Sequence, residues 1–420
     1  MSIKKLDKWF NLIKERNYLK IKIKKLNLLK NWDLNNLKIF LKKNFFFNIS
    51  FFQINIGKNI FYSPLICQNE IGILGIIKSK INNLDIYLLQ AKVEPGNVNK
   101  IQISPTVQAT KSNYKRKHKG KVTNYIEYFL TMKNQFSLKT NIKQTEQGTR
   151  YIGKYNRNIL LELIDYKKIK LKKNFRWFSK SEIITLLNRN NLINMDTLSI
   201  FSCSIKKFKK DQPLISNFKI FKKLKSYKKE NKYSFKKISF DYLKKWTFEN
   251  GKILNFKKNY FSIIGINVKT NNREIREWDQ PIIRDNNIGY IGLITKQINF
   301  TDHYLLKIKQ ELGYNFPILT TTINSKNCIH ETNKEDNKLL SYFKRKKKII
   351  FSKILSDEGG RFFHNQSRNV VIKLSNKESL KLKKNYVWVS HNQIVDLINN
   401  KVISIELRNL FACLNIKNIK

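Results

Sequence analysis

The sequence is poor in the features that would place it in several common classes. It has four cysteines, Cys67, Cys203, Cys328 and Cys413, too few and too scattered for a disulfide framework or a zinc centre. Reduced thiols and a cytoplasmic location are the expectation. No apolar run approaches the length needed to cross a membrane, so no membrane partner is expected. The amphipathic N-terminus, MSIKKLDKWFNLIKERN, lacks the continuous apolar segment of a signal peptide. Zinc-finger, RNA-recognition and heptad signatures are missing too. Acidic residues are few, 30 against 83 basic ones, which gives a formal charge of +53. Only 13 of the basic residues are arginine; the rest are lysine, spread along the whole chain among many Asn, Ile and Phe. This is how a translated AT-rich genome reads. It predicts a solvated, drifted surface with no specific nucleic-acid partner, and non-specific RNA sticking at low salt.

With 420 residues, 41% of them hydrophobic, the chain has material for two or three cored domains. An internal repeat fixes the number. Pro64 and Pro281 stand 217 residues apart, as do Gly72 and Gly289, Lys92 and Lys309, Glu94 and Glu311, and Gly96 and Gly313. Further on, an offset of 211 relates Gly148 to Gly359, Arg150 to Arg361, Arg157 to Arg368 and Trp177 to Trp388. Two copies of one domain are expected: residues 1–205, a Lys-rich linker over 206–232, and residues 233–420. Each copy reads as strand-dominated α+β. Strands are predicted around 45–56 and 261–269, and a short helix over 179–188 has its counterpart over 390–399. Ser179 with Glu182 and Ser390 with Gln393 have the spacing of capping boxes.

Two stretches carry chemistry. Over residues 90–114, Gln90, Lys92 and Glu94 alternate with apolar residues, then Pro95, Gly96 and Asn97 make a turn. Gln102, Ser104, Thr106, Gln108 and Thr110 follow as a polar ladder, which suits either a pocket lining for a neutral polar ligand or an ordinary half-exposed strand. Residues 146–158, EQGTRYIGKYNRN, gather Glu146, Arg150, Lys154, Asn156, Arg157 and Asn158 around two glycines. Arginine is scarce here, and its planar fork suits phosphate in a way lysine does not; a buried ion pair with Glu146 is the competing reading. The counterpart, DEGGRFFHNQSRN, keeps Arg361 and Arg368 and adds His364.

The motifs AKVEPGN, QISPTVQATKSNY, EQGTRYIGKYNRN, FRW and NLINMDT resemble those of the NDP-hexose 2,3-dehydratase family, over nearly the whole chain. The resemblance implies an α+β tandem of two Nudix-like domains, strand-dominated with mixed sheets and short helices. It implies a homodimeric enzyme of deoxysugar biosynthesis that removes water from a dTDP-4-keto-6-deoxyglucose substrate and hands its product to a 3-ketoreductase. A non-catalytic nucleotide-binding scaffold and a basic RNA-associated protein are the alternatives. No Nudix box is present, so neither a metal nor any other cofactor is expected. Glu94 and Glu146 are candidate bases, His118 a weaker one, and Tyr114 and Tyr151 candidate acids or oxyanion donors. Lys92, Gln102, Ser104, Thr106, Gln108, Ser112, Asn113, Asn156 and Asn158 are expected to line the substrate pocket. Arg150 and Arg157 are expected to hold the diphosphate, Trp177 or Tyr155 to stack on thymine, and Arg361 and Arg368 to keep phosphate-facing positions in the second copy. There Pro317, Ile318 and Leu319 interrupt the ladder, so a degenerate second pocket and a catalytic first one are predicted.

Overall fold

The structure is a computed structural model that describes residues 3–43, 46–117, 120–132, 134–257, 260–285, 287–325, 334–343 and 348–419. His118 and Cys328 lie outside the described residues.

The architecture is α+β and doubled. Each repeat has a smaller and a larger sheet. In the first, the larger sheet orders Phe136–Thr145, Tyr155–Leu163, Gly72–Ile81, Leu84–Val93 and Phe175–Ser179. It is mixed: Tyr155–Leu163 runs parallel to Gly72–Ile81, and the other pairs are antiparallel. The second repeat reproduces this, with Gln366–Leu374 parallel to Gly289–Ile298. The glycines of IGILGII and IGYIGLI lie on these central strands. A Cβ on Gly75 or Gly292 would meet the ring of Phe129 or Phe343 within 3 Å, so the missing side chains admit an aromatic onto the sheet. Both capping boxes form, with Ser179 closing Lys180–Leu187 and Ser390 closing His391–Asn399.

The repeats are not beads on a string. Leu19–Lys24, from the first, pairs antiparallel with Ser262–Thr270 of the second. Tyr233–Lys237, from the second, pairs with Asn48–Ile56 of the first. Each repeat therefore completes the other's smaller sheet, and the helices Met195–Ser202 and Ile405–Asn415 pack together between them. The stretch 206–232, expected as a linker, contains a helix. Ser216 caps a helix, Asn217–Glu230, whose Ile220 and Leu224 repeat at i, i+4 and are buried in the second repeat's core. Lysines fill the other face, which hid the helix behind its composition. Ile3–Arg16 does the same for the first repeat, burying Leu6, Phe10 and Ile13. No helix among the described residues is long and apolar enough to cross a membrane.

Candidate active site

The strand Leu84–Val93 delivers Lys92 and Glu94 to the end of the first repeat's larger sheet. The turn that follows is fixed by contact with the other repeat. Gly96 donates its N–H to the carbonyl of Gly359 at 2.7 Å, and Asn97 donates to the carbonyl of Glu94 at 3.2 Å. Two adjoining cavities open here, of about 250 Å³ and about 80 Å³. They share Lys92, Gln108 and Arg273.

A polar chain runs through them. Lys92 Nζ lies 2.9 Å from Glu94 Oε1 and 2.7 Å from Gln108 Oε1, and Gln108 Nε2 donates to Asp196 Oδ2 at 2.7 Å. Arg273 Nη1 lies 3.3 Å from the same Glu94 Oε1. Glu94 Oε2 is buried without a hydrogen-bond partner among the described residues. Around it in the smaller cavity stand Glu146, Asp196, Glu358 and the cations Lys154 and Arg361. Asn156 joins two elements there: its amide donates to Glu146 Oε1 at 2.6 Å, and its oxygen accepts the N–H of Gly72 at 3.0 Å.

These carboxyls do not share one protonation state. Burial alone would raise Glu94, but Lys92 and Arg273 outweigh it and hold the group below the usual carboxylate range. Burial raises Glu146, and burial together with the charges of Glu146, Glu358 and Glu94 lifts Asp196 well above that range. Burial and the charge on Glu94 push Glu358 up to about 7, and burial brings Lys154 down to about 8. One carboxylate held low thus faces several carboxyls pushed upward, an arrangement suited to paired acid–base chemistry.

Of the expected site residues, Lys92, Glu94, Gln108, Asn113, Glu146, Tyr151, Asn156 and Arg361 line the smaller cavity. Thr106 lines the larger one, but its hydroxyl is committed to the backbone. It accepts the N–H of Ile77 at 3.0 Å and donates to the carbonyl of Leu88. Thr322 does the same between Ile294 and Leu305. The ladder is therefore not one face of one strand. Pro105 and Thr106 break it, so that Ile101–Ser104 pairs with Leu84–Val93 and Val107–Ala109 with Gly72–Ile81. Gln102 turns to the repeat interface, donating to the carbonyl of Asn191 at 3.1 Å and to Ser356 Oγ at 2.5 Å. Ser104 and Asn158 are buried outside both cavities. Ser112 gives its N–H and hydroxyl to Glu70, at 3.1 and 2.7 Å. Tyr114 packs against the core cluster around Phe129, beyond the cavities.

The two counterpart arginines are placed differently from each other. Arg150 lines neither cavity; it is buried, stacked 4.0 Å from the Phe261 ring centroid and paired with Asp285 at 3.2 Å. Its counterpart Arg361 stacks 3.9 Å from the Phe47 ring centroid, and among the described residues it has no carboxylate within ion-pair distance and its Nε has no hydrogen-bond partner. Each repeat's arginine turn faces the other repeat, so the second copy's turn completes the first copy's cavity. Arg157 donates to Asn141 at 3.2 Å on the flank of the sheet. Trp177 stands edge-on to Tyr166 and Tyr155 edge-on to Tyr314, both away from the cavities. Arg368 is exposed. In the second repeat Tyr314, the counterpart of Asn97, is buried and donates to the carbonyl of Lys154, and Glu311 accepts the N–H of Gly148 at 3.0 Å. Arg408, fully buried, donates to Thr145 and Ile403 carbonyls at 2.6 and 2.7 Å. Asp196, Arg273 and Glu358 escaped the sequence reading as site residues. Glu358 stands where the repeat puts Gln147 in the first copy, and Asp196 lies within the NLINMDT motif.

The family model described as NDP-hexose 2,3-dehydratase matches residues 3–204 and 218–414. The chain is 28% identical, over 84% of its length, to a dTDP-4-dehydro-6-deoxy-alpha-D-glucopyranose 2,3-dehydratase of Saccharopolyspora spinosa, of which 78% is covered. It is 29% identical to enzymes of the same name from Streptomyces violaceoruber and Amycolatopsis orientalis, over 83% and 84% of this chain and 82% and 75% of theirs. Among solved structures, that of an ADP compounds hydrolase is matched over 37% of this chain and 84% of its own, at 17% identity and a TM-score of 0.25. A likeness that slight carries no argument.

Proposed function

Because this chain belongs to the NDP-hexose 2,3-dehydratase family, we propose that it removes water across carbons 2 and 3 of dTDP-4-keto-6-deoxyglucose, giving a 3,4-diketo-2,6-dideoxy sugar nucleotide. The observation that carries this reading is the pairing, in one small cavity, of a carboxylate held ionised with a carboxyl poised near neutrality. The 4-keto group acidifies the hydrogen on carbon 3. Glu94 Oε2 takes that proton, and Arg361 and the Tyr151 phenol hold the enolate oxygen. Glu358 gives its proton to the hydroxyl leaving carbon 2 as water. The resulting enol returns its hydroxyl proton to Glu358 while Glu94 protonates carbon 2, so both carboxyls are reset. The larger cavity has Lys121 and Lys173 for the diphosphate and Phe175 for the base. Neither Arg150 nor Arg157 takes part.

The finer expectations stand with this proposal: a hydro-lyase built from two Nudix-like repeats, in which the first repeat's cavity is catalytic and the second's is filled. It would act as a cytoplasmic homodimer, and a 3-ketoreductase would consume the reactive diketone. Incubating the protein with dTDP-4-keto-6-deoxyglucose, a 3-ketoreductase and NADPH should give a trapped sugar nucleotide that has lost one water and gained the two hydrogens of the reduction, read by mass spectrometry. A substrate that keeps its mass sinks the reading.

A further inference from the structure

The repeats depart from symmetry at one hairpin. Asn48–Ile56 and Asn59–Cys67 are joined by two residues, Gly57 and Lys58. Their counterparts, Ser262–Thr270 and Glu277–Arg284, are joined by residues 271–276. The offset between the copies steps up across this hairpin: Trp32 and Trp246 stand 214 residues apart, Pro64 and Pro281 217. The longer loop lies against the first repeat. Asn271 accepts the N–H of Tyr18 at 3.1 Å and donates to the carbonyl of Arg16 at 2.9 Å. Asn272 donates to Asn17 Oδ1 at 2.5 Å, and the carbonyl of Glu274 accepts the N–H of Lys121 at 3.3 Å. Between these anchors Arg273 reaches the wall shared by the two cavities.

Lys92 and Arg273 converge on a single atom, Glu94 Oε1, from opposite repeats, and Oε2 is left without a partner among the described residues. We propose that Arg273, carried into the first repeat's cavity by the insertion in the second repeat's hairpin, is a positioning residue that clamps Glu94 Oε1 and so presents Oε2 to the substrate. This rests on the reading of Glu94 as the base. Arg273 Nε is itself held by Glu274 at 3.4 Å, which fixes the plane of the fork. Lys92 alone, a point charge on a flexible stem, fixes distance but not orientation. The charged and titratable groups around Glu94 are Lys92 on its own strand, Asp196 and Glu146 from the first repeat, and Arg273, Glu358 and Arg361 from the second.

Arg273→Gln and Arg273→Lys, each compared with wild type, test this. Titration of the ¹³C-labelled Glu94 carboxyl, assigned with Glu94→Gln, needs no substrate. Its midpoint should rise by about one pH unit in R273Q and return most of the way in R273K. Turnover at neutral pH should fall about 10²-fold in R273Q with KM little changed, and R273K should recover only part of it, because the ammonium restores charge but not the fork. A wild-type carboxyl titration in R273Q, or wild-type turnover, overturns the proposal. If R273Q does not fold, full turnover by R273K overturns it as well. If wild-type protein turns over no sugar nucleotide, the functional reading fails while the titration still decides whether Arg273 clamps Glu94.

Discussion

Gly96 gives its backbone N–H to the carbonyl of Gly359, and that contact joins the turn after Glu94 in the first repeat to the second repeat's arginine turn. Gly313 and Gly148 make the pseudo-symmetric contact, also at 2.7 Å. A Cβ on Gly96 would lie 1.6 Å from the carbonyl oxygen of Phe362, and one on Gly313 1.7 Å from that of Tyr151. Backbone cannot yield as a side chain can. Gly96→Ala should therefore destabilise the protein by about 3 kcal/mol or more and abolish turnover, whereas Gly153→Ala, with nothing within 4 Å but a positive φ, should cost only about 1 kcal/mol. Equal melting temperatures for the two variants would contradict this.

The placement of the two arginines predicts an asymmetry. Arg361→Ala removes a cation from the cavity and should lower kcat about 10²–10³-fold. Arg150→Ala breaks a buried pair with Asp285 and should cost about 3–5 kcal/mol of stability while folded molecules keep most of their turnover. Rates normalised to the folded fraction check this; the opposite ranking would return the site to Arg150.

Much of the fold was legible and less of the site. Constant offsets revealed the doubling, and Ser179 and Ser390 with their N3 partners gave two helices correctly. The ladder misled, because strict alternation on both sides of Pro105 looked like one strand. Only the pairing partners separate Ile101–Ser104 from Val107–Ala109. That Arg150 lies outside both cavities and Arg361 inside one was not legible, for a deeper reason. A repeat specifies which residues correspond, but not which copy's turn crosses into which cavity, so Glu358, Arg361 and Arg273 could not be placed beside Glu94 from spacing alone. The insertion that carries Arg273 was readable in the step from 214 to 217, but its destination was not.

The pH profile follows from the two carboxyls. Glu94 is ionised from below the usual carboxylate range upward, so activity rises early on the acid side. Glu358 must hold a proton, so activity falls as pH passes through about 7. A bell in kcat/KM with its alkaline limb near neutrality is expected. A profile that stays flat across neutrality would remove Glu358 from the acid's role.

The lysines of Asn217–Glu230 and its apolar face should behave oppositely. Replacing Lys222, Lys225 and Lys229 together by Gln should leave stability and turnover close to wild type, because exposed charges contribute little. Ile220→Ala, at a position with no exposure, should cost about 2–5 kcal/mol. A Tm unaffected by Ile220→Ala would return this segment to the role of linker.

Proton exchange at carbon 3 tests the composite site most directly. Glu358→Gln in D₂O should still let Glu94 remove and return that proton, so dTDP-4-keto-6-deoxyglucose gains deuterium at carbon 3 and keeps its hydroxyl at carbon 2. Glu94→Gln should neither exchange that proton nor eliminate the hydroxyl. Exchange that persists in Glu94→Gln and vanishes in Glu358→Gln would contradict the assignment of base and acid to the two repeats.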